Sequence, residues 1–98
     1  MVMTMLEAHV EKDKWAVLEA TYRAAVEPLD PRLVRTYLVQ SIADLTLWRM
    51  MGVWASRETF EQMRASGETP RGVLIFRAAG AEPELSLYDV VAEGALNL

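Results

Sequence analysis

Residues 46–64 read TLWRMMGVWASRETFEQMR, and the period of the pattern changes at Ser56. Before Ser56 the apolar side chains run as in a buried strand. After it, Phe60 and Met63 recur at helical spacing, and Ser56 itself is a residue type that caps helix N-termini. Just upstream, residues 33–41 (LVRTYLVQS) form another strand, rich in β-branched residues and carrying Tyr37. Only residues 42–45 separate the two strands, with Asp44 as the turn former. So short a connection cannot make a parallel crossover, so the two strands must form an antiparallel hairpin that runs into a helix. With the turn centred on Ala43 and Asp44, Tyr37 faces Met50, Val39 faces Trp48 and Leu33 faces Trp54. That register places Arg35, Tyr37, Val39, Trp48, Met50 and Trp54 on one face of the sheet. A one-residue slip would redistribute them.

The rest of the chain completes the pattern. Residues 2–10 are apolar on both alternating faces apart from Glu7 and His9 and read as a strand buried on both sides. Asp13 is positioned to cap an amphipathic helix over residues 14–26. Trp15, Leu18, Tyr22 and Ala25 form its apolar side, with Glu19 and Arg23 paired four residues apart on the other. Pro28 and Pro31 end that helix. After the Ser56 helix, Gly67 is a stop. Thr69 and Pro70 start a short helix, as cap and first helical residue. Its buried side carries Val73, Leu74, Phe76 and Ala79, and Gly80 ends it. A last strand spans residues 85–92, and the tail, 93–98, is expected to be frayed. The fold class is α+β: a single ferredoxin-like βαββαβ domain over 1–98, with a short extra helix before the last strand and a four-stranded antiparallel sheet. Helices cover one face of such a sheet. The other face would expose Met3, Met5, Leu38, Met51, Val53 and Val90, so a homodimer by sheet-to-sheet packing is expected.

Composition narrows the function. The net charge of −4 and scattered basic residues argue against a nucleic-acid partner, which needs a clustered positive face. With no cysteine, thiolate chemistry and disulfides are excluded, and a lone His9 rules out a histidine-rich metal site within one chain. No metal and no cofactor are expected. The N-terminus lacks the basic start of a signal peptide, and no charge-free run approaches the ~20 residues of a membrane helix. The expected location is the cytoplasm.

The stretch LWRMMGVWASRETFEQMR, with Trp54, Ser56 and Phe60 in a W-x-S-x-x-x-F pattern, resembles the antibiotic biosynthesis monooxygenase family of dimeric α+β barrels. The resemblance implies a dimer and a pocket between sheet and helices. It also implies an activity: a cofactor-independent monooxygenase acting on or binding a small aromatic, polyketide-like molecule, with molecular oxygen as cosubstrate. The alternative is a non-catalytic ligand-binding or structural protein of the same fold. In the family's haem-degrading branch a histidine follows the tryptophan strand. Here Val73, Leu74, Ile75 and Phe76 occupy that region. The cofactor-free branch uses Trp, Tyr and Asn. Trp54 and Tyr37 match the first two, while the sole asparagine is Asn97, in the tail.

The catalytic candidates are therefore Tyr37, Trp54 and His9. His9 is the one side chain of the type suited to proton transfer near neutrality, and it shares a strand face with Glu7, which could hold it as a base, although a hydrogen-bonded strand-end histidine has the same signature. The substrate-binding candidates are Arg35, Tyr37, Trp48, Trp54, Phe60, Met63 and Phe76. Arg35 and Arg49 lie in apolar strands and can either meet an anion or bridge to a carboxylate. Thr69-Pro70-Arg71-Gly72 opens a helix, and helix N-termini attract anions, but the motif is too short for a phosphate loop.

Overall fold

The architecture is that of a computed structural model, which describes residues 1–96. Asn97 and Leu98, the end of the expected frayed tail, lie outside the described residues. The elements run β1 (Val2–His9), a single 3-10 turn (Lys12–Lys14), α1 (Trp15–Ala25), β2 (Leu33–Gln40), β3 (Leu47–Trp54), α2 (Arg57–Ala65), α3 (Arg71–Ala78) and β4 (Glu84–Asp89). The four strands make one antiparallel sheet in the order β2-β3-β1-β4. This is the ferredoxin-like arrangement expected from the order of elements, with α3 as the extra helix.

Local chemistry explains most boundaries. Ser56 Oγ accepts the Thr59 amide at 3.1 Å and caps α2. Gly67 and Gly80 take positive φ (76° and 75°) just past α2 and α3, where an L side chain is strained. Arg23 donates to Glu19 at 3.1 Å on the exposed side of α1. Two caps differ from expectation. Asp13 lies inside the 3-10 turn and Lys14 precedes α1 with no side-chain cap. Pro70 is the N-cap of α3, and Arg71 its first helical residue.

The hairpin register corrects the expected one. Tyr37 pairs with Met51, Val39 with Arg49 and Gln40 with Trp48, one step from the predicted pairs, whereas Leu33 does face Trp54. Two local features produce this. The turn centres on Asp44, whose carboxylate accepts from the Thr46 amide and hydroxyl (3.0 and 2.7 Å), while Ser41 Oγ receives the Asp44 amide (3.1 Å). Farther along β2, a bulge at Val34 absorbs the extra residue and restores Leu33 to Trp54. Arg35, Tyr37 and Val39 therefore share the outer face with Arg49, Met51 and Val53. Trp48, Met50 and Trp54 face the helices, and so does Leu38, which was expected on the outer face but pairs with Met50 and packs against the larger core.

Two apolar clusters fill the space between sheet and helices. The larger holds Leu6, Val10, Leu18, Met50, Ile75 and Phe76, with Leu18 and Phe76 fully buried. The smaller holds Val2, Trp54, Phe60 and Met63. They are separated along the inner face by one row of small and polar residues, Thr36, Gly52 and Thr4, paired across β2, β3 and β1. Gly72 lets α3 approach the sheet: a Cβ there would lie 2.5 Å from Leu6 Cδ1 and 3.0 Å from Met50 Sδ.

Candidate functional site

The small-residue row leaves a hole in the packing. Above Thr36, Gly52 and Thr4 sits a cavity of about 160 Å³. Its apolar wall is built from Leu6, Leu33, Met50, Trp54, Met63 and Ile75. Gly52 keeps the floor low. A Cβ at this position would stand 2.9 Å from Thr4 Oγ1 and 3.3 Å from Leu33 Cδ2. A glycine inside a strand commonly marks such a close approach.

The floor is polar and internally bonded. Trp54 Nε1 donates to Thr4 Oγ1 at 3.2 Å, and Thr4 donates in turn to the Gly52 carbonyl at 3.4 Å. Thr36 Oγ1 donates to the Met51 carbonyl at 2.8 Å and accepts from the Tyr22 hydroxyl at 3.4 Å. Trp54 belongs both to the smaller core and to the cavity wall, packing edge-on against Phe60 with ring centroids 5.3 Å apart.

Charged groups ring the mouth. Arg32 grips Asp30 through Nε and Nη2 (3.0 and 2.7 Å) and reaches Glu68 through Nη1 at 2.6 Å. This ties the α1–β2 loop to the α2–α3 loop. Asp30 is 8% exposed, the one charged residue buried among the described residues. The Arg32 guanidinium hydrogen-bonded to it holds its carboxyl below the usual range, overcoming the opposite push of burial. Arg32 is shifted upward by the same bond and by Glu68. Arg71 donates to the Ala25 carbonyl at 3.0 Å, meeting an orphan acceptor at the end of α1. Among the described residues no carboxylate lies within salt-bridge distance of Arg71.

Of the residues singled out from sequence, Trp54 and Met63 line this cavity, and Phe60 supports Trp54 from behind. Phe76 and Trp48 lie in the larger core. Trp48 packs on Trp15 at 6.1 Å, and its buried indole N–H has no partner among the described residues. Tyr37 and Arg35 are on the opposite face of the sheet, their polar ends 3.4 Å apart. His9 is at an exposed strand end, 2.9 Å from Thr46 Oγ1, while Glu7 is taken by Arg49 at 3.2 Å. The pairing of His9 with Glu7 is therefore not formed. Sequence reasoning passed over Thr4, Thr36, Gly52, Asp30 and Arg32. A threonine row is assembled only by strand pairing, and only Gly52, inside an apolar strand, carried a local signal.

No family model and no curated protein sequence matches the chain. Solved structures do match. SnoaB, a cofactor-independent oxygenase from Streptomyces nogalater, superposes with a TM-score of 0.67 at 18% identity, over 97% of this chain and 95% of that one. An antibiotic biosynthesis monooxygenase matches with a TM-score of 0.68 at 15% identity, over 94% and 100%. The chain has the antibiotic biosynthesis monooxygenase fold. Rv0793 from Mycobacterium tuberculosis shares it as well, with a TM-score of 0.69 at 14% identity over 96% and 98%. At such identities the likeness speaks for the fold, and chemistry must be argued from the residues of the cavity.

Proposed function

We propose that this chain is a member of the antibiotic biosynthesis monooxygenase family that binds a small phenolic ring in the sheet–helix cavity and oxygenates it without a cofactor. The observation that carries the reading is the cavity itself: an apolar chamber between two cores, walled by Trp54, with hydroxyls on its floor and cations at its mouth. The reaction is balanced by oxygen alone. A dihydroxybenzene and O2 give a hydroxyquinone and water, one oxygen atom entering the ring and the other leaving as water. The ring supplies the four electrons that O2 accepts. Charge develops on a ring oxygen as its proton leaves, and Arg71 is the mouth cation with N–H groups not committed to a carboxylate. Oxygen uptake with hydroquinone under labelled O2 tests the reading. One labelled atom per product is expected, with loss of rate in Arg71→Gln. Saturable hydroquinone binding with no oxygen uptake would refute turnover.

That second outcome corresponds to a non-catalytic binding protein. It is favoured by one observation: Asp30, one of the two carboxylates that line the cavity with Glu68, is held ionised by Arg32 and is a poor base. In both readings the protein acts as a cytoplasmic homodimer, paired through the outer sheet face. Support comes from Met3, Met5, Tyr37 and Met51, apolar or aromatic side chains on a face that carries no helix.

A further inference from the structure

The hydrogen bonds of the cavity floor decide more than whether a ligand binds. A threonine hydroxyl offers one donor and two acceptor lone pairs. The Thr36 donor is committed to the Met51 carbonyl, and the Thr4 donor to the Gly52 carbonyl. The Trp54 N–H is spent on Thr4. Each threonine oxygen accepts one bond, from Trp54 or Tyr22, and keeps one lone pair. The floor is therefore an acceptor surface whose donors are used up. A guest that brings an O–H completes it. A guest whose oxygens only accept meets lone pairs and leaves its own polar atoms unpaired.

Volume sets the second constraint. At about 160 Å³ the cavity lies below the ~300 Å³ floor of ordinary ligand pockets and close to the ~150 Å³ engineered cavity that takes up benzene. Such a space holds one ring with small substituents. Three fused rings exceed that space and would stand out through the mouth, because the tight seating of Gly72 on Leu6 and Met50 closes the α3 side.

We propose that the cavity selects a single-ring aromatic bearing a hydroxyl, held by that O–H on the free lone pair of Thr36 or Thr4, and discriminates against a ring of the same shape that brings no O–H. This rests on the cavity being the ligand site, as proposed above, and adds ring count and hydrogen-bond polarity.

The test is calorimetric titration of the full chain with p-cresol and p-xylene, which have nearly the same shape, and with anthrone. Wild type should favour p-cresol, and anthrone should bind weaker than either. In Thr36→Val the preference for p-cresol should fall roughly tenfold, the equivalent of about 1.4 kcal/mol, while p-xylene binding is kept. Thr36→Ser should restore the preference. Thr4→Val is the second variant should Thr36→Val fail to fold. An unchanged p-cresol to p-xylene ratio in both valine variants would overturn the polarity claim, and anthrone binding tighter than p-cresol would overturn the size claim. Either result leaves the cavity standing as a ligand site. Failure of all three compounds to bind would overturn that site and this inference together.

Discussion

Truncation of Trp54 probes the point where core and cavity meet. The indole is 7% exposed, stacks edge-on to Phe60 at 5.3 Å, lies under the Arg32 guanidinium at 5.8 Å and donates to Thr4 at 3.2 Å. Trp54→Ala removes all of these and leaves a void continuous with the existing cavity. The expected cost is about 3–5 kcal/mol, as for large aromatic-to-alanine changes in cores. Trp54→Phe keeps a ring against Phe60 but loses the N–H bond, worth about 0.5–1.5 kcal/mol, and some wall area. Its expected cost is about 1–2 kcal/mol. Urea unfolding gives both numbers, provided the slope is unchanged, so that the shift in midpoint reports stability alone. A double-mutant cycle with Phe60→Ala should return a coupling of about 0.5–1.5 kcal/mol. Trp54→Phe should also alter affinity for p-cresol, because the same ring faces the cavity. A Trp54→Ala cost under about 1 kcal/mol, or no coupling to Phe60, would show that the indole does not join the two regions.

Three further outcomes are expected. Gly72→Ala places a methyl group 2.5 Å from Leu6 Cδ1, so α3 must shift, and a loss of about 1–3 kcal/mol in a denaturant melt is expected. Asp30 has a depressed pKa in the folded state, so its contribution is present above its unfolded value of 3.8 and is lost as pH falls below that through the folded pKa; Asp30→Asn should flatten the acid limb of Tm against pH below about pH 4. If the outer sheet face pairs two copies, sedimentation should report about 22 kDa, twice the 11.0 kDa chain, Tm should rise with protein concentration, and Tyr37→Asp should weaken the association.

Much of the fold was legible because its determinants are local. Ser56 announces the start of α2 through its own side chain, and Gly67 and Gly80 announce two helix ends through a conformation that glycine tolerates. The short loop after β2 forces a hairpin whatever its register. The caps of α1 and α3 were misread by a residue or so, since Asp13 and Thr69 are residue types suited to the role but stand one position away from it. The cavity was less legible. Thr4, Thr36 and Gly52 are scattered in the chain, and they become a floor only when three strands align. Asp30 and Arg32, flanking Pro31, carry no local sequence signal, yet they tie two loops together over the mouth.

The register of β2 shows how one residue moves a functional assignment. Alternation along a strand is strict, so a hairpin turn centred one half-step away exchanges the faces of one strand relative to the other. A turn on Ala43 and Asp44 would have set Tyr37 opposite Met50, on the same face of the sheet as Trp54. The turn on Asp44 alone, fixed by the bonds from Thr46 and Ser41, sets Tyr37 beside Met51 on the outer face. The bulge at Val34 then returns Leu33 to the inner face, where it forms a wall of the cavity. Without the bulge, Val34 would replace Leu33 there and the smaller core would lose its link to β2. The same slip thus hands Tyr37 and Arg35 to the surface proposed for pairing and Thr36 to the cavity floor. The polarity of the proposed ligand follows from that exchange: a tyrosine in the cavity would have brought a hydroxyl donor, whereas Thr36 has already spent its own.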